Sequence, residues 1–390
     1  FIPFGIIASR SFQPDPMMVM MLIISTFTIL RYYERPSIPR LLMASTASAT
    51  ALFVKPVCLP LIFGAFILPA IYRRGVIRSV FAPHFLIFLA VGLLPPIIFF
   101  SYGVFITESL HKFNPGGRIL PHLLLHPSYW KGWHRIIKKV ITYYVLIPAI
   151  GGIFVFPKGL PRVLLAGLWI GYLVFCFIFT YHIHTHDYYH LSLVPIVALS
   201  LGPIGVLFMN LLSWATARWR WIVAAIGILF LVISLSTYRD RTRRRLGNSK
   251  PDIVRIAPEI GEAVGHSTKT VFLAFHYGRP LQYYGHLSGS WWPTRADFRY
   301  SRLQGSSVPS AEKRFNAKYL KHSPEYFIVT HFKEFKRQKD LKDFLTNRFP
   351  ILVKNDDYLI FDLREKWNAP SKLDSVCSSY WGFIKQWIHS

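Results

Sequence analysis

Long apolar runs, separated by short basic segments, fill the first 238 residues of the chain. A helix needs about 20 apolar residues to cross a bilayer, and several of these runs approach that length while others fall short of it. The two short runs meet at Lys55-Pro56, so they form either two thin spans or one kinked, re-entrant pair. The pattern predicts eight transmembrane spans, at about 16–31, 41–54, 56–72, 81–102, 141–157, 163–181, 191–210 and 220–238.

The pattern changes after residue 238, where short β-prone runs alternate with amphipathic segments. Strands are predicted at 270–277, 325–332, 349–354 and 358–363, and helices at 310–322 and 335–349. The segment 288–298, with two adjacent tryptophans, is predicted to be a loop. Helices alternating with strands are typical of a small layered sheet.

The expected fold class is therefore mainly α, with about eight spans. A polytopic transmembrane helical bundle over 1–238 is followed by a small α/β domain over 250–365 and a tail over 366–390. The end of the tail, 380–390, is either an interfacial amphipathic segment or a disordered terminus.

Charge is distributed unevenly along this chain, which is 52% hydrophobic and only 16% charged. The first 238 residues hold four acids and 18 Lys plus Arg, which leaves 15 of the 19 acids and 27 of the 45 basic residues for the rest. A net charge of +26 suits anionic lipid head groups or a phosphate-bearing substrate, and the apolar spans argue against nucleic acid as a partner. The three cysteines are scattered, without disulfide or zinc spacing.

Loop charges orient the bundle. If 31–40 is cytoplasmic, alternation places three other short basic loops, 71–79, 157–162 and 215–221, on the same side. The opposite side then receives Asp15, Lys55, the loop 103–140, the segment 182–190 and the C-terminal domain. The basic segment 239–245 runs against the positive-inside rule, but long domains translocate largely regardless of charge.

Ionisable residues inside the apolar part are candidate site residues, because they are costly there without a polar cavity or a partner. Asp15 in "FQPDPMM" opens a span, either as a favourable acid at a helix N-terminus or as a cavity residue. Lys55 in "LFVKP" either snorkels to the interface or pairs with a lipid-linked phosphate.

The segment "HIHTHDYYHLSLVP" carries four histidines, Asp187, Tyr188 and Tyr189 just before a late span. His182 and His186 would share a helical face, so metal binding is an alternative, but a polar site for sugar hydroxyls or a phosphate fits at least as well. In loop 103–140, Trp130, Trp133, Ile136 and Ile137 lie near one face of a predicted basic helix, which favours a helix lying on the membrane surface.

Together these features resemble the polytopic GT-C membrane glycosyltransferases, in the bacterial branch related to protein O-mannosyltransferases and to the aminoarabinose transferase of lipid A. The resemblance rests on the order and shared sidedness of "FQPDPMM", "LFVKP" and "HDYYHLSLVP", and on the C-terminal α/β domain. It implies a bacterial inner-membrane protein whose C-terminal domain is extracytoplasmic.

The resemblance also implies an activity. A sugar would move, with inversion, from a polyprenyl-phosphate donor to a hydroxyl of a lipid, glycan or protein acceptor. Asp15, Lys55, His186, Asp187 and Tyr188 match substrate-binding positions of the family. No cofactor is expected, with a divalent cation left open.

No catalytic base can be assigned from the resemblance. The family's principal acid follows its first span, which would lie upstream of Phe1, so the chain is expected to be N-terminally truncated. A transporter or flippase of a lipid-linked or anionic substrate is the alternative function, and a membrane scaffold whose Trp291 and Trp292 contact a partner or a sugar is a third.

Overall fold

The computed structural model describes residues 13–110, 119–214 and 252–364, together with scattered residues within 4–8 and 219–239. Contacts divide the chain into two compact units, Phe1–Asn248 and Ser249–Ser390. The predicted tail over 366–390 lies outside the described residues.

The first unit is helical throughout its described ranges. Its α-helices are Asp15–Glu34 (α1), Ile38–Val54 (α2), Leu59–Arg74 (α3), Val76–Val80 (α4), Pro83–Phe88 (α5), Leu94–Ser101 (α6), Pro127–Val140 (α7), Tyr143–Val155 (α8), Leu160–Ile178 (α9), Thr180–Thr185 (α10) and Leu193–Trp214 (α11). Short 3-10 turns lie at Pro56–Cys58, Pro121–Leu125 and Asp187–Ser192, and π-helical turns at Leu89–Leu93 and Tyr102–Ile106.

Within the described ranges, five helical segments are long and apolar enough to cross a membrane, which gives the chain the character of an integral membrane protein. They are Asp15–Glu34, Pro56–Arg74, Pro83–Ile106, Leu160–Ile178 and Asp187–Trp214.

The expected count of about eight spans is not confirmed. Helix α2 is apolar but has only 17 residues. The predicted span 141–157 corresponds to α8, which follows α7 across a bend of 92°. The predicted span 220–238 is described only in part, and its described residues are helical.

Small residues let α3 and α9 pack with their backbones close together. Gly167 and Gly171 form a GxxxG pair on α9, and Gly64 lies opposite them on α3. A Cβ on Gly167 would collide with the carbonyl oxygen of Gly64, and one on Gly171 would collide with that of Pro60. Close approach through small residues is a common way for helices to associate in a bilayer, where lipid tails are as apolar as the side chains.

The span Pro83–Ile106 is interrupted by the two π-helical turns. Pro95 and Pro96 stand in the first turn of α6, and neither has an N–H to donate to the preceding carbonyls. Such turns widen a helix locally and are frequent at functional sites. This broken span lines one side of the apolar groove described below.

The second unit is a five-stranded sheet covered by helices. Its strands are Thr270–Leu273 (β1), Gly289–Trp291 (β2), Tyr326–Val329 (β3), Ile351–Lys354 (β4) and Leu359–Asp362 (β5). Its α-helices are Asp252–Ala263 (α12), Arg279–Tyr284 (α13), Arg295–Leu303 (α14), Ala311–Lys318 (α15), Phe332–Arg337 (α16) and Lys339–Arg348 (α17). Turns of 3-10 type lie at Phe275–Gly278 and Leu320–His322.

The strand order is β2-β1-β3-β5-β4, in which β2, β1 and β3 are parallel and the other neighbours antiparallel. Strands β1, β3 and β5 are buried along their whole length. Val271 and Phe327 belong to one apolar cluster and Phe272 and Ile328 to another, so both faces of the sheet are covered.

The four predicted strands are confirmed, with shorter bounds. Strand β2 lies within the segment 288–298, and helix α14 begins in it. The prediction of a loop there was therefore wrong in part. Strand β2 has only three residues, too few for a visible alternation of apolar and polar positions.

Replacing Gly167 by Ala is expected to lower the thermal stability of the detergent-solubilised protein, because the new methyl group forces α3 and α9 apart. The cost of such overpacking is about 1–3 kcal/mol. Gly151→Ala in α8 is the matched control, since its Cβ would meet no described atom within 4 Å. Equal melting temperatures for the two variants would contradict the close packing.

Candidate functional site

A buried ion pair joins the start of α1 to the break after α2. The Nζ of Lys55 donates to Oδ1 of Asp15 over 2.6 Å. The two residues are 7% and 3% exposed, respectively. Removing both charges from water is costly, and their mutual attraction offsets that cost only when they stay together.

The local sequence explains why Asp15 stands at the start of a helix and Lys55 at a break between two helices. Asp15 is the first residue of α1, where a negative charge is favoured by the helix dipole. Lys55 has extended backbone angles, φ −161° and ψ 109°, and Pro56 begins the next helical turn. Proline disfavours helical geometry in the residue before it, so the Lys55-Pro56 break follows from the sequence.

Two tyrosines of the late motif lie against the ammonium group of Lys55. Its Nζ is 5.0 Å from the centroid of the Tyr188 ring and 4.7 Å from that of Tyr189. The face of an aromatic ring attracts a cation, most strongly where water is excluded. Tyr189 is only 4% exposed and stacks on His182 with ring centroids 4.7 Å apart.

His186 lies at the edge of this cluster, with its ring centroid 5.3 Å from that of Tyr188. The hydroxyl of Thr185 donates to the carbonyl of Tyr181, so its oxygen accepts from Nδ1 of His186 over 2.7 Å. Burial is the main cause that lowers the pKa of His186 below 6.5, Lys55 and His184 act in the same direction, and Asp187 opposes them. The neutral imidazole therefore keeps Nε2 as a hydrogen-bond acceptor at neutral pH.

Asp187 forms an ion pair with a different lysine. Its Oδ2 accepts from the Nζ of Lys139, which lies near the end of α7. Both side chains are partly exposed, so this ion pair is closer to solvent than the Asp15–Lys55 pair. Sequence analysis did not select Lys139, because four basic residues on α7 look alike in the sequence.

His190 is fully buried and has a structural role. Its Nε2 lies 2.8 Å from the carbonyl of Ile183, to which it donates, so its Nδ1 accepts from the hydroxyl of Tyr172 over 2.6 Å. Within the residues that the structure describes, no group of three or more His, Cys, Asp or Glu is arranged to hold a metal ion.

Helix α7 packs on protein through two of the four residues that the sequence predicts to face lipid. Ile136 and Ile137 are buried in the core of the first unit, and Gly132 packs against the backbone of His184. Ile136 and Ile137 therefore pack on protein and not on lipid, and the membrane-surface position of the helix stays a prediction. Trp130, which the sequence places on the same helical face, is 47% exposed.

An apolar groove of about 230 Å³ begins next to Lys55 in the chain. Pro56 and Val57 line one side of it, and Phe100, Val104 and other residues of the broken span line the other. A second groove, of about 420 Å³, lies between α1, α9 and α11, and its described lining contains no charged residue. Neither described lining contains a charged residue, and the first groove includes Pro56, the residue that follows Lys55 in the chain.

The structure brings together Asp15, Lys55 and Tyr188 of the predicted site, with His186 one ring away and Asp187 held by Lys139. It adds Tyr189, which the sequence motif contained but which carried no distinguishing signal.

Comparison with protein-family models finds no match, and searches of curated proteins and of solved structures find none either.

Lys55→Met is expected to destabilise the protein by about 3–5 kcal/mol, because it leaves Asp15 buried without a partner. The double variant Asp15→Asn/Lys55→Met should recover most of this loss, since no isolated charge remains. Denaturant unfolding of the purified protein in detergent measures both effects. Lys158→Met, at an exposed position, is the control, and an equal midpoint for Lys55→Met and Lys158→Met would contradict the burial of the pair.

Proposed function

We propose that the protein is an integral-membrane glycosyltransferase that moves a sugar from a polyprenyl-phosphate donor to an acceptor hydroxyl with inversion. The observation that carries the proposal is a buried lysine, held by a carboxylate and two aromatic rings, whose next residue in the chain, Pro56, lines an apolar groove. A lipid phosphate has a matching composition, with an anionic head and an apolar chain.

In this proposal Lys55 binds the phosphate of the donor and stabilises the charge that grows on it as the glycosidic bond breaks. A cation already fixed in a dry site stabilises a leaving anion without reorganising solvent. Asp15 is a positioning residue, because it holds the ammonium of Lys55 in place. The groove lined by Pro56, Val57 and the broken span would take the first part of the prenyl chain.

The acceptor hydroxyl attacks the anomeric carbon, its proton passes to a general base, and the lipid phosphate departs with the bonding electrons. No residue is assigned as that base. Neutral His186 and the Asp187–Lys139 pair are polar groups near Tyr188 that would orient hydroxyls of the sugar. Their distance from the reacting carbon depends on the bound donor.

The loop charges support an orientation in which this site opens on the extracytoplasmic side of a bacterial inner membrane. The short basic loops 71–79 and 157–162 would then be cytoplasmic. Donor and acceptor would meet on the outer face.

A transporter of a lipid-linked or anionic substrate is the second candidate. The same Asp15–Lys55 pair supports it, because paired charges within membrane segments also mark substrate pathways.

Sugar transfer from a polyprenyl-phosphate donor by the full-length protein in nanodiscs tests the proposal. Asp15→Asn/Lys55→Met is expected to lower the transfer rate by roughly 100-fold, the size of effect found when one electrostatic group at a reacting centre is removed. Asp187→Asn is expected to lower it as well, with folding retained in both variants.

Glu34→Gln is the matched control for Asp187→Asn, because Glu34 also forms a partly exposed ion pair, with Arg31. Unchanged transfer in both site variants would overturn the assignment of the site. Movement of the donor across a bilayer without any sugar transfer would favour the transporter.

A further inference from the structure

Two aromatic rings meet at the carboxyl end of β1 and β2 in the second unit. The ring centroids of Tyr277 and Trp291 are 5.0 Å apart and their planes are inclined by 67°. We refer to these two residues as the aromatic corner. The Tyr277 side chain is 54% exposed, so its ring adds little to the core of the unit.

The backbone that carries Tyr277 is strained. His276 and Tyr277 have φ angles of 52° and 57°, in the left-handed region that residues with a Cβ avoid. Such a conformation is unfavourable and persists only where the surrounding structure imposes it. The loop after β1 therefore adopts an unfavourable backbone conformation in which the exposed ring of Tyr277 contacts Trp291.

Trp291 is held rigidly on the other side of the corner. It ends the edge strand β2, and the hydroxyl of Tyr319 donates to its carbonyl oxygen over 2.7 Å. The following residue, Trp292, is 1% exposed and donates its indole N–H to Gln338. Of the two adjacent tryptophans, Trp292 thus belongs to the core and only Trp291 can meet a ligand.

A cation and an anion flank the corner. The Nζ of Lys318 lies 4.9 Å from the centroid of the Trp291 ring. Burial lowers the pKa of Lys318, and the nearby carboxylate of Asp297 opposes that shift. Burial raises the pKa of Tyr277, and the carboxylate of Asp297 raises it further.

Asp297 is held by the capping box at the start of α14, where it is the third helical residue. Its Oδ2 accepts from the backbone N–H of Thr294 over 2.8 Å and from the hydroxyl of Thr294 over 2.7 Å. The cluster thus offers a donor in Lys318 and an acceptor in Asp297, with opposite charges that balance.

We propose that the aromatic corner, with Lys318 and Asp297, binds a neutral sugar ring. The C–H face of a sugar packs on an aromatic ring, and its hydroxyls both donate and accept hydrogen bonds. The balanced charge of Lys318 and Asp297 favours a neutral sugar over an acidic one. This site belongs to the second unit alone and stands independently of the proposed transferase reaction.

Saturation-transfer NMR of the full chain in nanodiscs, with mannohexaose, maltohexaose and chitohexaose as separate probes, tests this inference. Binding of at least one neutral probe is expected. Trp291→Ala should weaken it about tenfold or more, as expected for the loss of one stacking ring. Tyr277→Gly should weaken it similarly while raising the thermal stability of the unit, because glycine relaxes the left-handed backbone.

Tyr283→Ala is the matched control, since Tyr283 is 75% exposed in the same unit and lies outside the corner. Its binding should equal that of the wild type. The inference would be overturned if none of the three neutral probes bound, or if Tyr283→Ala weakened binding as much as Trp291→Ala does. Binding of hexagalacturonate in preference to the neutral probes would overturn the assignment of a neutral ligand.

Discussion

The candidate site of the first unit depends on one constraint, that Asp15 and Lys55 are buried together. Either charge alone would be costly in this apolar surrounding, and a contact of 2.6 Å joins the two residues, which are 40 positions apart in the chain. The contact fixes the start of α1 against the break between α2 and α3. It also decides where Tyr188 and Tyr189 can pack, since both rings lie against the same ammonium group.

The first unit contains several segments of irregular backbone. Lys55 is extended between two helices, the span Pro83–Ile106 carries π-helical turns, and a 3-10 turn at Asp187–Ser192 precedes α11. Non-helical backbone within a membrane is tolerated where it lines a cavity or is buried in protein. Helices α3 and α9 approach closely through glycines such as Gly64 and Gly167.

Local rules predicted the break at Lys55-Pro56, the place of Asp15 at the start of a helix, and strands β1, β3, β4 and β5. Each of these follows from proline geometry or from periodicity over a few residues. The partners of the charged groups did not follow, because pairing Asp15 with Lys55 or Asp187 with Lys139 requires the packing of distant helices. The face of α7 was misjudged for the same reason, since an amphipathic pattern does not distinguish lipid from a neighbouring helix.

In the proposed site, the buried ammonium of Lys55 and the apolar groove together bind a lipid phosphate. Native mass spectrometry of the full-length protein with undecaprenyl phosphate and with undecaprenol tests it without requiring a sugar, an acceptor or a catalytic base. We expect the phosphate to bind at least about tenfold tighter than the alcohol, a difference of about 1.4 kcal/mol, and we expect Asp15→Asn/Lys55→Met to abolish this difference. Equal binding of the two lipids, or a preference that survives in the double variant, would contradict it.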